Sequence, residues 1–157
     1  MPKIQIGGLL QTTDLALIQV LGLPPTARPV AAVMAALGQA GISAQAVVEC
    51  ADCTGSNSLA FTVSQPLLTV ALPVVERVGR GVNAQEIRAT PRVALVAVYG
   101  PHFSDRPAIA GTMFSALAEA GMELLMVTTS ISTVACVITA GELPQAIAVL
   151  KEAFLLP

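Results

Sequence analysis

SALAEAGMELLMVTTS, residues 115–130, is the stretch whose reading decides the fold. Its first half reads as a helix and its second half as a strand, with Ala120-Gly121 as the hinge between them. The chain makes the same statement earlier: AALGQAGISAQAVVEC occupies residues 35–50. A repeat at this spacing is the sequence signature of a duplicated supersecondary unit. The match extends outward. ALIQVLG (16–22) returns as ALVAVYG (94–100), and AALGQAGI (35–42) returns as SALAEAGM (115–122). The second copy carries two more residues than the first between these matches, which places an insertion in its first loop.

Each copy predicts the same order of elements. In the first, residues 16–23 are apolar and β-branched and read as a strand, which Pro24-Pro25 ends. Pro29 suits a first helical turn, and Val30, Val33, Met34 and Leu37 keep helical spacing. Gly41 suits a left-handed helix end. A strand over 44–49, a hairpin loop with Gly55, and a strand over 59–63 follow. Pro66 opens a second helix that Pro73 bends and that Gly79 and Gly81 stop, and residues 84–89 form a closing strand. The second copy predicts strands over 93–99, 124–129 and 134–139, with helices over 107–120 and 143–154, and it lacks a last strand. Residues 3–10 read as a strand with no place in the first copy, so they complete the second sheet. The expected fold is α+β: two ferredoxin-like β-α-β-β-α-β units, residues 11–90 and residues 91–157 with 3–10.

The 157 residues are 54% hydrophobic and 11% charged, well below the usual charged share of about a quarter. Such a chain buries a large core and leaves apolar surface for an interface, which predicts an oligomer, with a homodimer as the expectation. Mean hydropathy is high at +0.74, yet Pro, Gly, Ser/Thr or a charge interrupts every apolar run before a membrane span is reached. The first residues do not read as a secretion signal, so the expected setting is the cytoplasm, with no membrane partner. A net charge of −2, one Tyr and no Trp argue against a nucleic-acid partner.

The residues carry a family likeness. RPAIAGTMFSALAEAGMELLMVTTS is similar to the pattern HPGVAAKMFEALAEAGINIxMISTS of the tandem ACT domains of bacterial aspartate kinase, and AIAVLKEAFLLP looks like that family's final helix. GLPP…AGIS…SLAFTV in the first copy is similar to GVPD…AGIN…DISFTV, and IQIGGLL resembles the strand that joins the second ACT unit in that family. The likeness covers nearly the whole chain, and the separate small regulatory β-subunit is the nearest type. It implies an allosteric sensor of a free amino acid, threonine or lysine, held between ACT units of two chains, with a possible catalytic kinase subunit as partner. It implies no catalytic residues and no cofactor, and the chain has neither a Gly-rich phosphate loop nor a catalytic Lys/Asp set.

Carried onto this sequence, the resemblance puts ligand contacts at Thr26, Ala27, Arg28, Pro29 and Val30, and at Asp105, Pro107, Ala108 and Ile109, where helix N–H groups suit a carboxylate. Glu49, Asn57 and Ser58 are polar candidates in the first copy, and Glu123 and Leu124 in the second. Departures from the family accompany them. The family's Asp after GVP is Pro25, its second-strand Gln is Glu49, its Asn in AGIN is Glu123 in the second copy, and the Glu-Ile-Arg after STS is Ile131-Ser132-Thr133. A carboxylate at Glu49 could replace the lost Asp as an ammonium partner, or leave the pocket empty. Thr128, Thr129 and Ser130 read equally as good strand formers or as a ligand edge. Arg28 and Arg106, each before a Pro, could grip a carboxylate or stay on the surface. Asp105 could cap the helix that follows it.

Two other constellations were open to chemistry. CADC (50–53) has C-x-x-C spacing, which is half of a zinc site or a redox pair, but also reads as an ordinary hairpin; Cys136 alternates inside a strand and reads as core. His102 with Ser104 and Asp105 is a weak hydrolytic grouping, since no G-x-S-x-G turn is present. The alternatives to an amino-acid sensor are therefore an interaction module with degenerate pockets and a metal or redox module through CADC.

Overall fold

The structure, a computed structural model, describes residues 2–101 and 103–157. The elements run β1 (Ile4–Gln5), β2 (Gly8–Leu23), α1 (Ala27–Gln39), β3 (Gln45–Ala51), β4 (Asn57–Ser64), α2 (Leu68–Gly81), β5 (Glu86–Tyr99), α3 (Ala108–Glu119), β6 (Met126–Thr129), β7 (Thr133–Thr139), α4 (Leu143–Ala153) and β8 (Phe154–Leu155). The chain divides into two compact units, Asp14–Arg92 and the remainder, which comprises the residues up to Thr13 and Val93–Pro157.

In the unit Asp14–Arg92 the strand order is β3-β4-β2-β5, with β4 antiparallel to both β2 and β3. Register sets one face of this sheet. Ala16 lies opposite Val63, Ile18 opposite Phe61 and Val20 opposite Leu59, and all six are buried. Val33 and Leu37 of α1 and Ala71 and Val75 of α2 close on that face as one core. In the other unit the order is β6-β7-β5-β2, so the same pattern recurs. Ala94 lies opposite Ile138, Val96 opposite Cys136 and Val98 opposite Val134, and Ile109, Met113, Leu117, Ala146 and Leu150 cover them. These units have the ACT-like ferredoxin fold that the element order predicts.

The Ala-Gly hinge of the opening stretch works identically in both copies. Gly41 and Gly121 adopt φ of 73° and 70°, which glycine reaches without the Cβ clash that an L side chain meets. The N–H of Ile42 then returns to Leu37 O at 2.9 Å, and that of Met122 to Leu117 O at 3.1 Å. This six-residue closure satisfies helix carbonyls and drops Ile42 and Met122 into their cores.

Some expectations change. The strand read over 3–10 is divided between β1 and the start of β2, which runs on through 16–23, and those over 84–89 and 93–99 are one strand, β5. Pro91 does not end β5. It sits beside Arg92, whose φ of 53° and N–H bond to Gln65 Oε1 at 2.6 Å replace a ladder contact. α2 ends at Gly81, as read, but neither Gly79 nor Gly81 makes the left-handed turn that closes it. Asn83 does, in the left-handed conformation (φ 60°), with its N–H on Arg80 O and the next N–H on Gly79 O. Pro66 belongs to a short 3₁₀ turn, Gln65–Leu67, ahead of α2, and Pro73 is accommodated inside that helix.

No helix among the described residues is long and apolar enough to cross a membrane.

Candidate functional site

Each unit has one sheet end at which a helix begins and a hairpin turns, and the two ends differ in chemistry. In the unit Asp14–Arg92, β2 stops at buried Leu23, and Pro24-Pro25 carries the chain to Thr26. Thr26 is extended (φ −128°, ψ 166°) and its N–H bonds Pro24 O at 2.8 Å, while its hydroxyl makes no capping bond. The first turn of α1 holds no acidic residue; Ala27 and Arg28 are exposed and Pro29 is buried. A helix start without an acidic neighbour keeps its positive end and its unbonded N–H groups for an outside anion.

The β3–β4 hairpin reaches the same end, because Leu23 is in register with Asn57, and Asn57 with Ala51. Strand alternation puts Asn57 on the face of Leu59 and Phe61, the face that the helices cover. Glu49 is opposite Leu59 and shares that face. Its Oε1 accepts from Asn57 Nδ2 at 2.8 Å. A carboxylate, an amide and a helix start are thereby assembled at one sheet end. Ser58 is not part of this group: it is opposite Cys50, and alternation turns both to the other face.

Beyond Cys50 the hairpin is closed by Asp52. Its Oδ1 accepts from Thr54 Oγ1 at 2.6 Å, Thr54 N at 2.7 Å and Ser56 N at 3.1 Å. The Thr54 hydroxyl first, then these amide donors, hold the Asp52 carboxyl below its usual range. Cys50 ends a strand and Cys53 is in this tied turn; both are exposed free thiols. No group of three or more His, Cys, Asp or Glu suited to a metal occurs among the described residues. Cys136 is the opposite case, buried in the second core, and burial pushes its thiol up to about 12.

The second unit's end is built differently. After Tyr99, Gly100 donates to Ser132 O at 3.0 Å, and a 3₁₀ turn (Phe103–Asp105) precedes α3. Arg106 N–H bonds Phe103 O at 3.0 Å and Ile109 N–H bonds Arg106 O at 3.2 Å, so early donors are already engaged. The cap position is Pro107, itself helical, which offers no capping side chain. A pocket of about 290 Å³ joins Arg106, Pro107 and Ile109 to Thr129, Ser130 and Ile131 of the β6–β7 hairpin. Asp105 and Ala108 are exposed beside it. Glu123 and Leu124 are not at this end. They precede β6, just past the C-terminal end of α3, with Glu123 exposed and Leu124 packed on the core. His102, and the side chain of Ser104, lie outside the described residues, and the hydrolytic grouping with them.

Sequence reasoning missed a second pocket, about 330 Å³, where Gln5, Ile6 and Gly7 meet Gly100, Phe103 and Arg106. One signal pointed to it: the glycine ending ALVAVYG recurs from the first copy, yet only here does another glycine strand approach it closely.

Comparison with known proteins follows this geometry. A family model described as ACT domain matches residues 96–154. The fold and this match define the class: an α+β protein built from ACT-like units. More particularly, the chain is similar over nearly its whole length to aspartate kinases. An aspartokinase of Bacillus sp. (strain MGA3) is 25% identical over 152 residues, 97% of this chain and 37% of that protein. An aspartate kinase of Pseudomonas putida is 25% identical over 149 residues, 95% of this chain and 36% of that protein. The chain therefore spans little more than a third of these relatives. The regulatory subunit of aspartate kinase from Thermus flavus superposes with a TM-score of 0.88 at 25% identity, covering 96% of this chain and 99% of that one. The ligand-free regulatory subunit from Thermus thermophilus gives 0.86 at 26% identity, over 96% and 99%.

Proposed function

We propose that the chain is an amino-acid-sensing regulatory protein of the aspartate kinase type, responsive to threonine or lysine and acting on a kinase catalytic partner. One observation carries the reading. Glu49 and Asn57, hydrogen-bonded to each other, share a sheet end with the acid-free start of α1. An α-amino acid presents one carboxylate and one ammonium. The helix start and Arg28 suit the first, and Glu49 suits the second. Glu49 then supplies the charge that Pro25 cannot. The pocket at Arg106, Pro107 and Ile109 is the second place for such a ligand, with Asp105, Ala108 and the Thr129-Ser130 edge beside it. Association of two copies would complete these sites from outside the chain.

The likeness to free-standing regulatory subunits supports the absence of catalytic chemistry from this part of the assembly. A thermal-shift screen of the twenty amino acids at millimolar concentration tests the reading, because a ligand of the native state raises the midpoint by mass action. Threonine or lysine is expected to raise it. A rise with a different amino acid alone would move the pathway, and no rise with any would contradict sensing.

A further inference from the structure

The pocket between Gly7 and Gly100 has a composition that an α-amino acid does not match. It lies wholly in the second unit and holds about 330 Å³, within the range of small-ligand sites. Ile6 and Phe103 are buried hydrophobic walls, 4% and 9% exposed. Gly7 and Gly100 form a floor with no space for side chains. A Cβ on Gly7 would stand 3.0 Å from Tyr99 O, and one on Gly100 2.8 Å from the Phe103 ring.

The floor's own donors are spent. Gly7 N–H goes to Tyr99 O at 2.7 Å, Gly100 N–H to Ser132 O at 3.0 Å, and Ile6 N–H to Leu155 O at 3.1 Å. Arg106 is different. Its Nη1 donates to Gln5 O at 2.7 Å, which fixes the guanidinium at the pocket wall while using one of its five N–H groups. The remaining fork is shaped to take a carboxylate through two parallel bonds. Pro101 and Pro157 complete the lining, and among its described residues no side chain carries a carboxylate to receive an ammonium.

We infer that this pocket binds a small monocarboxylate with an apolar body and no amino group, anchored on Arg106. The site is separate from the amino-acid site at Glu49 and does not rest on it.

Titration calorimetry of the full chain with 3-methylbutanoate, hexanoate and 3-phenylpropanoate, each paired with its neutral amide, tests the inference. At least one acid is expected to bind saturably at millimolar concentration or below, with its amide at least tenfold weaker. Arg106→Gln is expected to weaken the acid at least tenfold, and the exposed charge control Arg77→Gln to leave it unchanged. In the unaltered protein the amide resonances of Gly7 and Gly100 are expected to shift on titration, which keeps the test decisive if Arg106→Gln fails to fold. The inference is overturned if no acid binds, if acid and amide bind alike, if a folded Arg106→Gln binds as well as wild type, or if the resonances that move lie elsewhere. Arg106 also lines the second amino-acid place beside Pro107 and Ile109, so the Gly7 and Gly100 resonances, rather than Arg106→Gln alone, assign the acid to this pocket.

Discussion

The two units share a fold and diverge at the ends where they could act. At the first, a carboxylate and an amide from a long hairpin face an acid-free helix start. At the second, β6 is four residues long, Ile131 stands 83% exposed at the turn, and the fixed charge is a guanidinium tied to Gln5 O. Duplication preserved what the cores need and released what they do not. The Ala-Gly helix ends and the cross-strand apolar pairs recur because each sheet must be covered by two helices in one register. Glu49 and Arg106 do not recur because nothing in the packing requires them.

If the cores are equivalent, their largest side-chain deletions are too. Leu37→Ala and Leu117→Ala, at matching repeat positions and each about 1% exposed or less, are expected to cost about 2–5 kcal/mol apiece in urea unfolding. A loss confined to one of them would break the equivalence. The shared helix ends come next. Gly41→Ala and Gly121→Ala meet no atom within 4 Å, so each is expected to cost only the left-handed penalty, about 1–2 kcal/mol. A repeat position filled differently sharpens the contrast further: Cys136 stands opposite Val96 where the first core has Phe61 opposite Ile18. Its thiol is neutral in both states below the unfolded value. Above that the unfolded chain ionises while the native chain does not, so stability falls as pH rises toward about 12. Cys136→Val is expected to remove this alkaline loss, and a thiol reagent is expected to label Cys50 and Cys53 quickly and Cys136 only on unfolding.

The smallest effect concerns the strands common to both units. Asp14 and Arg92 occupy equivalent repeat positions and both have left-handed backbones, φ 55° and 53°. Either residue changed to Gly is expected to gain about 0.5 kcal/mol in urea unfolding, the conformational penalty relieved less the added unfolded-state freedom.

These particulars explain what could be read in advance. The repeat, the helices, the Ala-Gly ends and the core faces were legible because periodicity and left-handed glycines are local signals. The fusion of strands into β5 was not, because past Pro91 the Arg92 N–H is taken up by Gln65, far away in sequence. Asn83 is not legible as the left-handed turn because two nearby glycines give the louder signal. At the candidate site, Glu49 and Asn57 could be singled out by residue type, but that they meet while Ser58 turns away depends on the hairpin register. The Arg106 pocket is assembled from segments about a hundred residues apart, and no local pattern announces it.

The most direct test of the central reading is calorimetric titration of threonine and of lysine into the unaltered chain and into Glu49→Gln. Glu49 is exposed and its change is expected to leave the fold intact. The account predicts saturable binding of at least one of the two amino acids to the unaltered chain, and a loss of tenfold or more in Glu49→Gln. Binding that is unchanged by Glu49→Gln, or absent from the unaltered chain, would contradict it.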